Sequence, residues 1–390
     1  MQKDKNIIAI SIFNSTFKFV QQAMLFFFGI YLKQIGFTGF EIGLAVAVGT
    51  ITRLIVIIPS GFLNDRIKSR HLLSVGIFLI ALAYFLMAIF TSLPLILLAF
   101  LFGGLGYSLY TTSMESIFYK STQKETAHEN IGIYQSINYF MIGLGMALAG
   151  YLLNINLPFK EIFSAIAIIF IILALSAQIL LPKTISAKFE IFRYKKDMFK
   201  KNILYLLIMA FLFAIHFGSE ETTYGLFLRT NLHLTDFQAG LYMGSNIFTM
   251  GLTAFLIRKH FKKIKAKNLL LIGTFFSGTG HILMTLNPLW LSWIFRFMHE
   301  TGDAFMFFFM FYSISQFFEA ERVGGNNGII TFVSTIGGSL GALLFGYLGG
   351  KYGYNVPFVV SGITTLLAFV LALKFHPLKQ HEHAYSPDRA

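Results

Sequence analysis

Apolar runs long enough to cross a membrane recur along the whole chain, and they constrain its fold more than any other feature. A helix needs about 20 apolar residues to cross about 30 Å of hydrocarbon. Twelve such runs lie at 6–32, 40–60, 71–91, 94–119, 130–154, 160–181, 203–229, 237–257, 268–287, 289–318, 326–350 and 355–375. The runs predict an all-α membrane protein with twelve transmembrane helices.

Composition supports this prediction. Hydrophobic residues make up 55% of the chain and charged residues 13%, with 46 Phe among 390 residues, which is more apolar surface than a soluble core can hide. The first run is too long for a secretory signal, carries Lys18 near its centre and lacks an A-x-A cleavage site, so it is interpreted as a membrane span. The absence of Cys excludes disulfides and thiolate metal ligands.

The net charge of +13 raises the question of nucleic acid, which the positions of the charges answer. When alternate loops are assigned to opposite sides, 24 of the 31 Lys and Arg fall on one side, four on the other and three within the spans. The positive-inside rule then predicts that both termini are cytoplasmic, in a cell membrane. The basic segments "AKFEIFRYKKDMFKK" and "RKHFKKIKAK" become cytoplasmic loops beside anionic headgroups, and no nucleic-acid partner is expected.

The chain repeats itself internally. "GIYLKQIGFTGFEIGL" from Gly29 matches "GLFLRTNLHLTDFQAGL" from Gly225 with one inserted residue. The repeat predicts two pseudo-symmetric six-helix bundles, at residues 1–182 and 203–376. A basic cytoplasmic linker, 183–202, would join them, and residues 377–390 would form a cytoplasmic tail.

Two motifs resemble those of the major facilitator superfamily. In "GFLNDRIKSR", between the second and third runs, Gly61, Asp65, Arg66 and Arg70 match the family's loop motif, while Lys68 stands where a second Gly is usual. The segment "GGSLGALLFGYLGGKYGYNVPF" from Gly337 is similar to the family's eleventh span. The resemblance covers essentially the whole chain. It implies a secondary active transporter working by alternating access, and no enzyme activity.

Other segments depart from the family's proton antiporters. Those often carry Arg in span four, four residues before a Gly, where this chain has Phe102 before Gly106. The fifth span, "IGLGMALAG", lacks their Gly-Pro motif, and "TAFLIRKHFKKIKAK" lacks the second-half Asp. Efflux of drugs or metabolites by antiport therefore stays open but is not indicated.

The resemblance also implies a cytoplasmic latch that holds the two halves together. Its residues would be Gly61, Asp65, Arg66, Arg70 and Glu115, the last lying near the cytoplasmic end of span four. Asp65 could also cap a helix N-terminus across the interface. The alternative is a plain loop of solvated charges.

The stretch "RFMHETGDAF" places Arg296, His299, Glu300 and Asp303 in the middle of an apolar run. At about 100° per residue, all four share one helix face. An unpaired charge at that depth costs about 2.5 to 3.5 kcal/mol, so this face is expected to meet a polar cavity or a partner helix.

Span seven supplies the expected partner. In "AIHFGSEETTYG", His216 and Glu220 are spaced i, i+4, and Glu221 is turned about 100° away. Desolvated carboxylates and His exchange protons near neutral pH, so a proton relay is predicted. The predicted proton-coupling residues are Glu300, Asp303, Glu220, Glu221, His299 and His216.

Two other interpretations of these residues remain open. One is a static buried salt-bridge network that fixes helix packing. The other is a metal, because "HETGD" resembles H-E-x-x-H with Asp in place of the second His. A transition-metal carrier or an intramembrane metalloprotease could be built this way, but no metal ligand and no cofactor is assigned.

The first half has a cationic character. Span one presents Lys18 within a polar arc and without an accompanying acid, which favours an anionic or zwitterionic substrate. An alternative is an ion pair between Lys18 and Glu220 or Glu221. His281 stands alone on an apolar run and is interpreted as a packed histidine. The predicted substrate-binding residues are Lys18, Asn14, Gln21, Gln22, Arg296 and Arg53.

Together these features predict a monomeric carrier of a small polar or anionic organic solute, coupled to protons and embedded in the lipid bilayer. No G-x-x-x-x-G-K-[ST] motif occurs, so ATP is not the expected energy source. A non-transporting membrane receptor is the alternative from a different class.

Overall fold

The computed structural model describes residues 2–22, 28–186, 190–261 and 264–374, and this part of the chain contains helices and no strand. The helices are α1 (Gln2–Gln22), α2 (Phe28–Gln34), α3 (Gly39–Arg66), α4 (Ser69–Ile89), α5 (Leu93–Ser121), α6 (Ala127–Asn154), α7 (Phe159–Leu180), α8 (Ile191–Met198), α9 (Lys201–Ile215), α10 (Phe217–Thr230), α11 (Asp236–His260), α12 (Ala266–Leu283), α13 (Leu289–Phe317), α14 (Val323–Tyr352) and α15 (Val356–Lys374). The all-α prediction is confirmed for these residues. The predicted tail, 377–390, lies outside them.

Nine helical stretches in the described ranges are long and apolar enough to cross a membrane, with α9 and α10 counted as one. They cover the predicted spans except 6–32, 268–287 and 289–318. Those three fall on α1 with α2, on α12 and on α13. Helix α13 is 29 residues long but carries Arg296, Glu300 and Asp303, which lower its apolar character. A total of twelve spans stays a prediction.

The two copies of the sequence repeat fold into the same turn. Thr38 begins α3 and Thr235 begins α11, and each closes a capping box with the residue three positions on, Glu41 or Gln238. A residue with positive φ lies two positions before each Thr: Gly36 in the first copy and His233 in the second. The match in sequence is therefore also a match in backbone and capping geometry.

Contacts between the first-half and second-half helices run along two seams. In one, α6 packs on α11, and the Cβ of an alanine at Gly143 would lie 2.7 Å from the carbonyl oxygen of Gly244. In the other, α3 packs on α14, with Gly61 against Gly324 and Gly328. These glycines permit backbone contact that any side chain would prevent.

The second seam lies at one end of the bundle, which we name the latch end. It contains the α3–α4 turn, the α5–α6 and α13–α14 turns, and the linker helix α8. At the other end of the bundle, α3 and α14 both carry exposed apolar side chains, including Ile51 and Leu343.

Candidate functional site

Asp65 joins the two halves at the latch end. Its carboxylate accepts hydrogen bonds from the backbone N–H groups of Gly324 (3.0 Å) and Gly325 (2.6 Å), in the first turn of α14. It therefore caps a helix of the other half, where the positive end of the helix dipole favours a carboxylate. The side chain is buried and forms an ion pair with Lys120 at 3.1 Å.

The other predicted latch residues lie around this contact. Gly61 gives α14 room to approach, and Glu115 accepts a hydrogen bond from the Asn327 side chain across the seam at 2.5 Å. Arg66 is exposed and Arg70 is half-buried. The ion-pair partner of Asp65 is Lys120, which the sequence analysis did not single out.

An aromatic contact also joins the two halves near the latch end. Phe311 of α13 packs against Phe118, Tyr119 and Tyr134 of the first half, with ring centroids 5.9, 5.6 and 6.0 Å apart. These rings therefore add an aromatic contact between the two halves.

The linker helix α8 takes part in the latch through two side chains. Tyr194 donates a hydrogen bond to Asp65 at 3.1 Å, and Asp197 accepts one from the Arg322 side chain of the other half at 3.1 Å. Burial raises the pKa of Asp197, but hydrogen bonds from Lys200, Asn326 and Arg322 outweigh it and hold that pKa below its usual value.

In the second half, the charged stretch of α13 faces α10, where it forms a buried cluster. Arg296 lies between two carboxylates, with 2.7 Å from Nη1 to Glu220 Oε1 and 2.5 Å from Nη2 to Glu300 Oε1. Its guanidinium carbon lies 4.4 Å from the Tyr224 ring centroid. The two carboxylates compensate the positive charge of Arg296, which would be costly to bury unpaired inside a membrane.

Three histidines complete this group, which we call the α13 cluster: His216, Glu220, His281, Arg296, His299, Glu300 and Asp303. His299 Nε2 lies 3.0 Å from Glu220 Oε1 and 3.5 Å from Asp303 Oδ2. His216 Nε2 lies 3.2 Å from the same Asp303 oxygen. Side-chain exposure is 18% for Glu220 and at most 3% for the other members, so Glu220 is the least buried member.

The hydrogen-bond partners of the histidines indicate where protons lie. Nδ1 of His299 contacts the Ser277 carbonyl at 2.8 Å, and Nδ1 of His216 contacts the Phe213 carbonyl. A carbonyl only accepts, so both Nδ1 atoms carry hydrogen. An ionised carboxylate also only accepts, so the contacts His216–Asp303 and His299–Glu220 each require one further proton.

The net charge of the α13 cluster also indicates two additional protons. The cluster holds three carboxylates and one guanidinium, so two additional positive charges make it neutral. Burial of net charge in a low-dielectric interior is costly, which favours the neutral state. Two bound protons therefore satisfy both the hydrogen bonds and the electrostatics.

Two sequence predictions change here. His281 is not an isolated packed histidine, because it stacks on His299 at 4.1 Å and its Nε2 lies 3.6 Å from Glu220 Oε1. Ser277 and His281 lie one turn apart on α12, and this polar spacing was the available signal. Glu221 is exposed and has no hydrogen bond or ion pair among the described residues, so the structure does not bring it into the cluster.

The cluster also contains donor sets that could hold a metal. One is His216, His299 and Asp303, and the other is Glu220, His281 and His299, each with ligand atoms within 4.8 Å of one another. Imidazole and carboxylate ligands suit Zn²⁺. Arg296 lies against Glu220, so its charge disfavours a cation in the second set.

The first half carries the predicted cations around an aromatic pair. Lys18 Nζ lies 3.4 Å from the Tyr107 hydroxyl, and the Arg53 guanidinium carbon lies 4.6 Å from the Tyr107 ring centroid. Tyr110 in turn donates a hydrogen bond to Asn14. Lys18 and Arg53 form no ion pair among the described residues, and we call them the cationic pair.

The remaining predicted substrate residues divide between the halves. Gln21 is buried and Gln22 half-buried, and Oε1 of each has no partner among the described residues. Arg296 instead belongs to the α13 cluster. Tyr107 and Tyr110 were missed by the sequence analysis, although "FGGLGYSLY" spaces them i, i+3 within an otherwise apolar span.

Comparison with known proteins identifies relatives. The model of the Major Facilitator Superfamily matches residues 8–266 and 206–390. An uncharacterised transporter of that type, YxaM from Bacillus subtilis, is 23% identical over 361 residues, covering 88% of this chain and 89% of that protein. The quinolone resistance protein NorA of Staphylococcus aureus is 22% identical over 132 residues, which is 33% of this chain and only 34% of NorA.

A solved structure shares the fold. The human organic anion transporter MFSD10 superposes with a TM-score of 0.77 at 12% identity, covering 95% of this chain and all of that chain. At this identity the similarity concerns the fold.

Proposed function

Because the chain belongs to the major facilitator superfamily of membrane transporters, we propose that it moves a small polar or anionic organic solute by alternating access, coupled to protons. The α13 cluster carries the proton, and the cationic pair binds the solute.

The two-proton requirement of the α13 cluster is the observation that carries proton coupling. Glu220 Oε1 contacts Arg296, His281 and His299, and Glu220 is the least buried member of the cluster. A proton arriving at Glu220 can pass to His299 and on to Asp303 through contacts of 3.0 and 3.5 Å. Glu300 forms an ion pair with the second terminal nitrogen of Arg296. When Glu220 loses a proton and becomes charged, its ion pair with Arg296 therefore becomes stronger.

The cationic pair supports an anionic solute. Both cations contact Tyr107, neither forms an ion pair with a described carboxylate, and Nε of Arg53 is buried without a hydrogen bond. Glu115, and for Arg53 also Glu221, offset part of this charge from a greater distance. A buried cation is stabilised by an anion that reaches it. Gln21 and Gln22 add unpaired amide oxygens that orient a polar solute.

The membrane arrangement completes the proposal. Twelve spans in two six-helix halves, 1–182 and 203–376, are joined by the linker 183–202, in a monomer with both termini in the cytoplasm of the cell. The excess of Lys and Arg at the latch end supports this orientation. The latch end is then cytoplasmic, and the contacts of Asp65 and Phe311 describe a state closed to the cytoplasm.

Two alternative functions are each supported by one specific observation. The partial match to NorA, which is named for quinolone resistance, favours efflux of drugs or metabolites. The triad of His216, His299 and Asp303 favours a transition-metal carrier, because one divalent ion could replace the two protons.

Glu220→Gln tests the proposed coupling, with Glu221→Gln as the matched control. In proteoliposomes containing a screened organic anion, Glu220→Gln should lower accumulation driven by a pH gradient at least tenfold. Exchange of labelled for unlabelled solute should continue, since exchange needs no net proton release. Glu221→Gln should retain accumulation driven by a pH gradient, because its carboxylate forms no hydrogen bond or ion pair with any described member of the cluster.

Other outcomes separate the alternatives. If Glu220→Gln accumulates solute as the wild type does, the cluster is a static salt-bridge network. If Zn²⁺ or Co²⁺ is transported and organic anions are not, the protein is a transition-metal carrier and the proposed anion transport is wrong.

A further inference from the structure

A basic hollow lies at the latch end, outside both the cluster and the cationic pair. It has a volume of about 280 Å³ and is lined by the linker helix and the start of α14. The lining residues are Arg193, Lys196, Asp197, Lys200 and Arg322. Four cationic side chains thus face a single carboxylate.

The ion pairs leave part of this positive charge unbalanced. Asp197 is shared by Lys200 (2.8 Å) and Arg322 (3.1 Å). Arg193 pairs with Glu190 at 2.7 Å, in an exposed contact. Lys196 has no hydrogen bond or ion pair with any described residue. The hollow therefore favours an anion with several acceptor oxygens.

Apolar side chains lie beside the cations. Phe192 is 81% exposed and Phe199 is 68% exposed. At about 100° per residue, Phe192 lies on the side of α8 next to the face of Arg193 and Lys196. Phe199 and Lys200 follow directly after Met198, the last residue of that helix. The buried Tyr194 and Met198 occupy the opposite side, against the protein.

The position of the linker helix puts this surface at the membrane boundary. Helix α8 lies between two candidate membrane spans, which end at Leu180 and begin at Lys201. Cations next to exposed aromatic rings at such a boundary have the composition of a surface that binds anionic membranes. A soluble anion would use the cations but gain nothing from the two Phe side chains.

We propose that the hollow binds the phosphate headgroup of an anionic phospholipid, while Phe192 and Phe199 insert beside its upper acyl chain. Arg193, Lys196, Lys200 and Arg322 supply the phosphate contacts. Arg322 directly precedes α14, so the bound lipid bridges the linker and the second half.

A regulatory consequence follows, and it rests on the proposed alternating access. The same helix contacts Asp65 through Tyr194 and the second half through Asp197. A lipid that holds α8 against the start of α14 therefore stabilises the latch-closed state. Anionic lipid should slow opening at this end.

Lipid binding by Lys196→Glu tests the site, with Lys195→Glu as the matched control. Both variants change the charge equally on the same helix, but Lys195 does not line the hollow. Native mass spectrometry of the full chain would measure binding of phosphatidylglycerol and of phosphatidylcholine. Lys196→Glu should weaken phosphatidylglycerol binding about tenfold, and Lys195→Glu should leave it within twofold of the wild type.

Phe192→Ala and inorganic phosphate distinguish the source of the ligand. Phe192→Ala should weaken phosphatidylglycerol binding several-fold, and millimolar phosphate should not displace the lipid. Equal losses of phosphatidylglycerol binding in Lys195→Glu and Lys196→Glu would show that diffuse surface charge, and not the hollow, attracts the lipid. Full displacement by phosphate would make it a soluble-anion site. Binding is measured without transport, so these results stand apart from the Glu220 experiment.

Discussion

Three buried or half-buried cations are compensated differently at the scale of single residues. Arg296 contacts two carboxylates, and Lys120 contacts one. Lys18 contacts the hydroxyl of Tyr107 and the faces of two Tyr rings, with no carboxylate among the described residues. Ring faces compensate an ammonium only partly. Lys18 and its neighbour Arg53 are therefore the cations that an external anion would stabilise most.

Lys18→Met is expected to weaken binding of the transported anion about tenfold, a loss of about 1.4 kcal/mol. The long apolar side chain keeps the packing against Tyr107 and removes only the charge. Binding of the screened anion to purified protein would be compared with that of Lys160→Met, which changes an exposed cation in the first turn of α7. Unaltered affinity together with lost proton movement would reverse the proposed division between the halves.

At the scale of elements, α14 begins without a side-chain cap of its own and is capped from the other half. Two of its first N–H groups bond to Asp65, so this helix end is satisfied only while the halves are together. Opening must expose those N–H groups and the buried Lys120 to water. The latch thus couples a local hydrogen-bond requirement to a rigid-body movement.

Asp65→Asn should destabilise the latch-closed state by about 3 kcal/mol, because it leaves Lys120 buried without its carboxylate. Adding Lys120→Met removes that unpaired charge and should recover part of the loss. Thermal unfolding in detergent and transport rates in proteoliposomes would be measured for both variants. Normal transport by Asp65→Asn at normal expression would refute the latch role.

On the scale of the whole molecule, the two seams set how closely the halves approach. The Cβ of an alanine at Gly61 would lie 2.8 Å from the Gly324 carbonyl oxygen and 3.1 Å from the Gly328 Cα. Both neighbours are backbone atoms, which cannot rotate away. The latch-closed state therefore depends on this glycine, whereas an open state does not.

Gly61→Ala should shift the population toward the state that is open at the latch end. The chain has no Cys, so a single Asn327→Cys at the seam can report accessibility through its rate of maleimide labelling. The rate should rise several-fold in Gly61→Ala. Gly43→Ala, on the same helix with nothing near its Cβ, is the control. Equal rates in the two variants would show that Gly61 does not limit closure.

Sequence alone determined the features that depend on composition and local spacing. The apolar runs predicted helices, the loop motif predicted the family, and the repeat predicted two related halves. The face of Arg296, His299, Glu300 and Asp303 followed from helix periodicity, because neighbours on one helix are fixed by 3.6 residues per turn.

Tertiary structure decided which faces meet. Lys120 reaches Asp65, His281 joins the α13 cluster, Glu221 stays outside it, and Tyr107 lies between two cations. None of these contacts follows from spacing, since each joins different helices or depends on how a helix is rotated against its partner. Helix rotation is set by packing along both seams, and that packing involves residues more than 260 positions apart, such as Gly61 and Gly328. Such long-range packing is fixed only once the whole bundle is assembled.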